Sequence, residues 1–229
     1  MAANKNVFDS SVVRKVWMSL TGLFLCTFLV VHLLGNLTLL GPAEHAQETF
    51  NNYAHFMTSF PLIKAVSYLL YFSILFHAVW GIMLEIKNRK ARPINYAYNK
   101  PSSNSIWASR NMGLLGTIIL VFIAAHMYHF WYQMHWGSVP IDASGNKDLY
   151  TVVVEFFRHD GLGLPATLFY VLAMVAMAFH LFHGFQSAFQ TLGINHKRYT
   201  PIINVIGFGF SLLIPAAFAF IPLFLYLTK

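Results

Sequence analysis

Six histidines lie within long apolar stretches of the sequence: His32, His77, His126, His129, His180 and His183. Two of them, His180 and His183, form an H-x-x-H pair in the segment FHLFHGFQSAFQTLG, which spans residues 179–193. Ionisable side chains are costly inside a membrane, so a histidine at such a position is a candidate for cofactor binding or proton transfer. Which of these roles applies depends on the elements that carry the six residues.

The composition and the length of the apolar stretches indicate membrane-spanning helices. Of the 229 residues, 57% are hydrophobic and 10% are charged, whereas about a quarter of the residues of a soluble domain are charged. Five continuous stretches are long enough to cross a bilayer as helices, which takes roughly 20 residues: 16–40, 62–86, 113–136, 164–192 and 202–227. They do not alternate at period two, which excludes barrel strands. We predict an all-α integral membrane bundle of five transmembrane helices, with residues 1–229 forming one domain.

The distribution of basic residues predicts the orientation of this bundle. If the spans alternate in direction, 11 of the 15 lysines and arginines fall on one side. The positive-inside rule therefore places the N-terminus in the cytoplasm and the C-terminus outside. This asymmetry also explains the net charge of +7 without nucleic acid as a partner. The basic inner loop 87–110 is either a docking surface for a soluble partner or topology-setting charge. Residues 44–59 and 148–160 are predicted to form short interfacial helices on the outer side.

Depth in the membrane divides four of the histidines into two pairs. At about 1.5 Å per helical residue, His32 and His126 lie in the outer half, and His77 and His180 lie in the inner half. Each pair comes from two different helices. Two neutral imidazoles that face each other across a bundle are typical of a bis-histidine haem. Three of these histidines are followed on the same helix face by a small residue that leaves room for such a group: Gly35, Gly81 and Gly184.

Within each H-x-x-H, the two histidines differ by about 60° around the helix and cannot both bind one iron axially. His180 shares a stripe with small residues (Ala173, Ala176 and Gly184), and His183 shares one with Gln186 and Gln190. We therefore expect His180 to be the ligand. His183 would donate a hydrogen bond to a haem propionate or carbonyl, or serve as an interhelical polar group. The choice between His126 and His129 is less decisive, although His129 lies closer to the outer interface.

These segments together resemble a known family. The opening VVRKVWMSLTGLFLCTFLVVHLLGNL has an RK pair, a midway glycine and an H-x-x-G-N end. With LLYFSILFHAVWGIML, AAHMYHFW and FHLFHGFQSAFQTLG, it is similar to the cytochrome b subunit of succinate:quinone oxidoreductases (succinate dehydrogenases and fumarate reductases) in which a single polypeptide holds two haems. The resemblance covers nearly the whole chain.

The resemblance implies a set of ligands and partners. His32 and His126 would bind the distal haem b, and His77 and His180 the proximal one. The family anchors an FAD-containing flavoprotein and an iron–sulfur subunit on the cytoplasmic side of the bacterial cytoplasmic membrane. Its members pass electrons between the iron–sulfur subunit and a membrane quinone, usually menaquinone for this version. The succinate chemistry takes place in the flavoprotein, so this chain would be a non-catalytic subunit.

The resemblance also bears on a proton route, on the quinone site and on the basic residues of the inner surface. Some fumarate reductases of the family have a glutamate two residues before the ligand of the fourth span, where this chain has Ala178, so a proton route through that position is absent. A quinone-site acid near the outer end of the second span has Glu48 and Glu44 as candidates. At the inner surface three basic residues would neutralise propionates, dock the acidic partner or set the topology: Arg14, Lys15 and Arg110.

Several other functions remain alternatives at this point. One is a membrane b-type cytochrome of another quinone-linked dehydrogenase. A metal or proton transporter is disfavoured because intramembrane carboxylates are nearly absent and no inverted repeat is visible, and a structural anchor without haem would not explain four depth-matched histidines. A further alternative is a di-iron membrane oxidase, which also uses H-x-x-H boxes but needs around eight histidines at one face. The division of the histidines between two depths disfavours the di-iron oxidase.

Overall fold

The computed structural model describes residues 10–90 and 106–228, without the side chains of Ser11, Ala43 and Glu44. The helices are α1 (Ser11–Leu37), α2 (Ala43–Ser59), α3 (Pro61–Lys90), α4 (Trp107–Arg110), α5 (Met112–Trp136), α6 (Leu149–Arg158), α7 (Gly163–Thr191) and α8 (Thr200–Leu227). The described residues contain no β-strand. Residues 91–105 of the predicted basic loop lie outside the described residues.

The prediction of five spans is confirmed. Helices α1, α3, α5, α7 and α8 are long and apolar enough to cross a membrane. Their ends agree with the sequence prediction to within about five residues. Methods of assigning helix ends themselves differ by about one or two residues. Continuous helices are favoured here because a helix satisfies its backbone donors and acceptors internally, where lipid offers no partners.

Helix α7 lies at the centre of the bundle. It packs along α8 and also contacts α1, α5 and α6, whereas α3 packs mainly on α1. The larger apolar core lies in the half of the bundle that is predicted to face outward, called the outer half, and includes Leu33, Phe122, Tyr170 and Ile221. A smaller cluster, formed by Ala108, Leu115 and Ala176, lies in the inner half. The inner half of the bundle therefore has less apolar packing of its own.

The outer half of α5 contains a π-helical turn at Met127–Tyr132, directly after His126. π-Helical turns are rare and often occur at functional sites. The turn changes the angle between His126 and the residues that follow it, including His129. The turn contains Trp131, whose Nε1 donates to the hydroxyl of Tyr71 on α3 at 2.8 Å.

The two short outer helices were predicted to be interfacial, and the structure places them against the bundle. On α6, Val153, Val154 and Phe157 are buried among residues of α7 and α8. The spacing of Leu149, Val152, Val153, Phe156 and Phe157 (i, i+3, i+4, i+7, i+8) predicts an apolar face that includes Val152 and not Val154. The difference arises because α6 contacts α2 on one side and α7 on the other, so a wider face than the predicted stripe is covered by protein.

A buried polar network joins α2 to the N-terminus of α6. Asn51 is fully buried, and its Nδ2 donates to the carboxylates of Asp142 (3.0 Å) and Asp148 (2.9 Å). Its Oδ1 accepts from the backbone N–H of Tyr150 at 2.9 Å. Asp148 is the N-cap of α6 and accepts from the backbone N–H of Thr151. Both the nitrogen and the oxygen of the Asn51 side-chain amide therefore have hydrogen-bond partners, as a buried amide requires.

A single residue connects α2 to α3. Helix α2 ends at Ser59, Phe60 has φ −69° and ψ 122°, and α3 begins at Pro61. The backbone N–H of Phe60 donates to Phe56, and its carbonyl accepts from Lys64. The extended conformation at Phe60 is the one that a residue before proline prefers.

Asp148 makes the stability of this outer network dependent on pH. Burial alone raises the pKa of the Asp148 carboxyl, but hydrogen bonds from Thr151, Asn51 and Gln47 lower it further, so that the pKa lies below its ordinary value of 3.8. A carboxyl with a depressed folded-state pKa contributes stability above its unfolded pKa and loses it as the pH falls through the folded value. We therefore expect the network to weaken progressively below about pH 4.

Asp148→Asn tests this expectation. At neutral pH the substitution should cost about 1–3 kcal/mol of unfolding free energy, because the new amide donors face existing donors. Below pH 4 the unfolding temperature should fall less steeply in the variant than in the wild-type protein, as measured by thermal unfolding in detergent. Glu155→Gln removes an exposed acid of α6 and serves as the control. Parallel pH profiles for Asp148→Asn and the wild type would contradict the assignment.

Candidate functional site

The inner histidine pair is formed between α3 and α7. The ring centroids of His77 and His180 are 6.3 Å apart, with an angle of 67° between the ring planes. The Nδ1 atom of His77 lies 3.2 Å from the hydroxyl of Thr21 on α1. The Nδ1 atom of His180 is buried and has no hydrogen-bond partner among the described residues. Three helices therefore contribute to the surroundings of this pair.

The outer histidine pair is formed between α1 and α5. The ring centroids of His32 and His126 are 5.8 Å apart, with an angle of 86° between the planes. Phe28 stacks on His32 at 5.1 Å, and Phe218 of α8 lies 5.5 Å from the same ring. The ring of Tyr170 on α7 lies 6.0 Å from His126. Aromatic side chains thus enclose the outer pair.

The other member of each H-x-x-H lies outside these pairs. The Nδ1 of His129 is 3.4 Å from the hydroxyl of Tyr170, and its ring is 4.4 Å from Phe156. His183 is half-buried, one turn from His180 towards the end of α7. The structure therefore pairs His126 with His32 and His180 with His77. His126 and His180 are the members of the two H-x-x-H motifs that the sequence predicts as ligands.

The geometry of both pairs fits a metal-centred group. Two imidazoles that bind one metal ion from opposite sides, each with a nitrogen–metal bond of about 2 Å, have ring centroids roughly 6 Å apart. Edge-to-face packing of two rings covers the same range of distances, so the separation alone does not distinguish metal binding from ring packing. The ring hydrogen bond of His77 uses Nδ1, which leaves Nε2 to bind a metal, and the amide nitrogen of Asn36 lies 3.4 Å from Nδ1 of His32. For His126 the Nδ1 atom is buried without a partner among the described residues.

Glycines on neighbouring helices flank the inner pair. A Cβ atom at Gly22 of α1 would lie 3.3 Å from Cε1 of His77, and one at Gly116 of α5 would lie 3.8 Å from Cε1 of His180. Side chains at these two positions would fill the space beside the imidazoles. A flat group bound between His77 and His180 requires that space, so the two glycines support the fit to a haem. The sequence analysis noted Gly22 only as a midway glycine and did not include Gly116 among the site residues.

The three predicted site glycines have different surroundings. At Gly184 no atom lies within 4 Å of the Cβ position, and at Gly81 the nearest is the terminal methyl carbon of Met18 at 3.7 Å. Gly35 lies against the ring of Tyr53 from α2, closer than a Cβ atom would allow. The hydroxyl of Tyr53 donates to the carbonyl of Val31 at 3.1 Å. Gly35 therefore lets α2 pack onto the outer end of α1, near His32.

The predicted basic and acidic residues lie at the two ends of the bundle. Arg14 and Lys15 are in the first turns of α1, and Arg110 ends α4, beside the start of α5. Glu48 is exposed on α2 at the opposite end. The side chain of Glu44 lies outside the described residues. The structure does not test the roles of these residues.

The described residues do not form a second type of metal centre. Within residues 10–90 and 106–228, no group of three or more histidine, cysteine, aspartate or glutamate side chains is arranged to hold a metal ion. A di-iron site requires such a group, since its ligands are carboxylates and histidines clustered at one place.

Gly35→Ala tests the contact between α1 and α2. The added methyl group overlaps the Tyr53 ring, and overpacking of this kind typically costs about 1–3 kcal/mol. The unfolding temperature should fall relative to the wild type, and Tyr53→Leu in the same chain should recover part of the loss. Gly209→Ala is the matched control, because no atom lies within 4 Å of its Cβ position. Equal unfolding temperatures for the two alanine variants would show that α2 does not depend on Gly35.

Comparison with known proteins supports the family resemblance. No family model and no solved structure matches the chain. The chain is similar to the succinate dehydrogenase cytochrome b558 subunit of Bacillus subtilis (strain 168), with 27% identity over 198 residues that cover 86% of this chain and 85% of the relative. The relative and the five long apolar helices identify a multi-pass protein of a bacterial cytoplasmic membrane. The chain is thus similar over most of its length to a cytochrome b subunit of succinate dehydrogenase, in agreement with the resemblance of its motifs.

Proposed function

We propose that this chain is the membrane anchor and electron-transfer subunit of a succinate dehydrogenase or fumarate reductase complex, with two bis-histidine b haems. His77 and His180 would hold the proximal haem, and His32 and His126 the distal one. The chain would connect an iron–sulfur subunit with a membrane quinone. The name of the relative, a cytochrome b subunit, supports haem b as the cofactor.

The observation that carries this proposal is the presence of two separate histidine pairs with centroid separations of 6.3 and 5.8 Å. Each pair is drawn from two long helices, and four different helices contribute in total. A histidine that only packed in the core would not require a second histidine at the same depth on another helix. Two such pairs in one bundle support two metal-centred groups.

The residues around each pair would bind and orient the cofactor and exclude water from it. A bis-histidine haem supplies a one-electron iron couple whose potential depends on its axial ligands and surroundings. His77 and His180 would hold the iron of the proximal haem, while Gly22 and Gly116 leave space beside their rings. Around the outer pair, Phe28 and Phe218 keep the surroundings of His32 apolar.

The partners are proposed from the relative and from the charge of the chain. The predicted orientation places the basic inner residues Arg14, Lys15 and Arg110 in the cytoplasm. They would bind haem propionates or an acidic face of the iron–sulfur subunit, which in turn carries the FAD-containing flavoprotein. Quinone, with menaquinone as the expected type, would react near the outer pair. Glu48 and Glu44 are the candidate acids there, and membrane lipid surrounds the rest of the bundle.

Haem counting in single and double histidine variants tests the ligand assignment. The wild-type protein should contain two low-spin b haems per chain, measured by a reduced-minus-oxidised spectrum and by extraction. Alanine at any one of the four paired histidines should remove one haem. His77→Ala combined with His180→Ala should still remove only one, whereas His77→Ala combined with His32→Ala should remove both.

His129→Ala and His183→Ala are the matched controls, because each changes the second histidine of an H-x-x-H and should leave two haems. Loss of a haem in His183→Ala but not in His180→Ala would contradict the assignment for α7. A purified protein with bound metal but no haem would overturn the proposed function as a whole.

A further inference from the structure

The hydroxyl of Thr21 on α1 links His77 to the backbone of α1. Its Oγ1 lies 2.8 Å from the carbonyl oxygen of Trp17 and 3.2 Å from that of Met18. The same atom lies 3.2 Å from Nδ1 of His77 on α3. Thr21 is buried, with 8% of its surface exposed, so water does not compete for these contacts.

These contacts favour one position for the proton of the His77 ring. A threonine hydroxyl has one hydrogen and two lone pairs. The shortest contact is with the Trp17 carbonyl, which can only accept, so the hydroxyl hydrogen points there. Thr21 then presents a lone pair to the imidazole, and a hydrogen bond between them requires that Nδ1 of His77 carries the proton. The Nε2 atom of the neutral ring is left without a proton and is available to a metal.

His77 differs in this respect from the other three paired histidines. The Nδ1 atoms of His126 and His180 have no hydrogen-bond partner among the described residues. His32 has the amide nitrogen of Asn36, which is a donor, beside its Nδ1 at 3.4 Å. Thr21 donates its hydroxyl hydrogen to the carbonyl of Trp17. It can therefore only accept from His77, which restricts the tautomer of that ring.

Gly22, the next residue of α1, allows the close approach that the Thr21 contact needs. A Cβ atom at position 22 would lie 3.3 Å from Cε1 of His77, tighter than an ordinary van der Waals contact. Since α1 and α3 pack side by side, the absence of this atom lets the imidazole lie against α1. Thr21 thus holds the His77 ring by a hydrogen bond, and Gly22 leaves the space in which the ring lies.

We propose that Thr21 is a positioning residue for metal binding by His77: its hydroxyl accepts from Nδ1–H and thereby fixes the tautomer, the ring orientation and the basicity of Nε2. This inference rests on the proposed function, in which His77 is an axial ligand. Partners of this kind on the far nitrogen of a histidine ligand raise the basicity of the ligand. A more basic ligand stabilises the ferric state, so Thr21 should lower the midpoint potential of the proximal haem.

The test is a redox titration of Thr21→Val and Thr21→Ser, followed at the haem α-band, with the electron paramagnetic resonance signal of the ferric haems as a second readout. In Thr21→Val the midpoint potential of one haem should rise and its low-spin signal should shift, while the other haem is unchanged. At a fixed ambient potential near the midpoint, the ratio of reduced to oxidised haem should rise several-fold. Thr21→Ser keeps the hydroxyl and should restore wild-type values.

Thr27→Val is the matched control. Thr27 is on the same helix, and its hydroxyl donates to the carbonyl of Leu23 at 3.0 Å, the same local bond that Thr21 makes to Trp17. It is exposed on the bundle surface and its replacement should leave both haem potentials and both signals unchanged.

The outcomes separate the inference from the proposed function. If the wild-type protein has two haems and Thr21→Val leaves both potentials in place or lowers one, Thr21 does not act as an acceptor for His77 and the inference is overturned. If Thr21→Val loses one haem, restoration by Thr21→Ser supports the inference and loss in both variants overturns it. A wild-type protein without haem removes the proposed function itself.

Discussion

An imidazole buried in this bundle has no water to bind, because the surrounding lipid supplies neither donors nor acceptors. A buried ring nitrogen without a partner in the protein or in a bound group therefore costs free energy. The four paired histidines meet this constraint to different degrees. His77 has a partner for Nδ1 in Thr21, whereas His126 and His180 have none among the described residues. The positions of glycines and aromatic residues around the pairs are consistent with the need to leave room for a bound group.

The two halves of the bundle meet this constraint in different ways. In the outer half, α2 and α6 add a second layer, and the core around Phe122 and Tyr170 is built from several helices. In the inner half the described core is small, and the site is shaped by close approach of helices at Gly22 and Gly116. The outer pair is thus enclosed by aromatic side chains, whereas the inner pair lies beside helix positions that are occupied by glycine.

Much of this arrangement could be predicted from the sequence. Apolar length gives the five spans, and helical rise gives the depth at which each histidine lies, which together predict the pairs that the structure forms. The small-residue stripe on α7 separates His180 from His183 correctly as the paired residue. The assignment of these pairs as haem ligands stays a prediction.

Other features could not be predicted, because they depend on which helices are neighbours. Thr21 and Gly116 gain their roles only from contact with His77 and His180 on adjacent helices. The partners of Asn51 lie about 90 to 100 residues away in the chain, beyond any local pattern. The π-helical turn after His126 has no signal in a stretch where every residue type also suits an α-helix.

The one-residue connection at Phe60 couples the orientation of α3 to that of α2. Pro61 has a fixed φ angle, so the direction of α3 relative to α2 is set almost entirely by the two torsions of Phe60. Asn51 fixes α2 against α6 at the outer surface, and this leaves α3 little freedom to turn about its own axis. The azimuth of His77, about four helical turns further along α3, therefore depends partly on a polar contact near the end of the bundle where α2 meets α6.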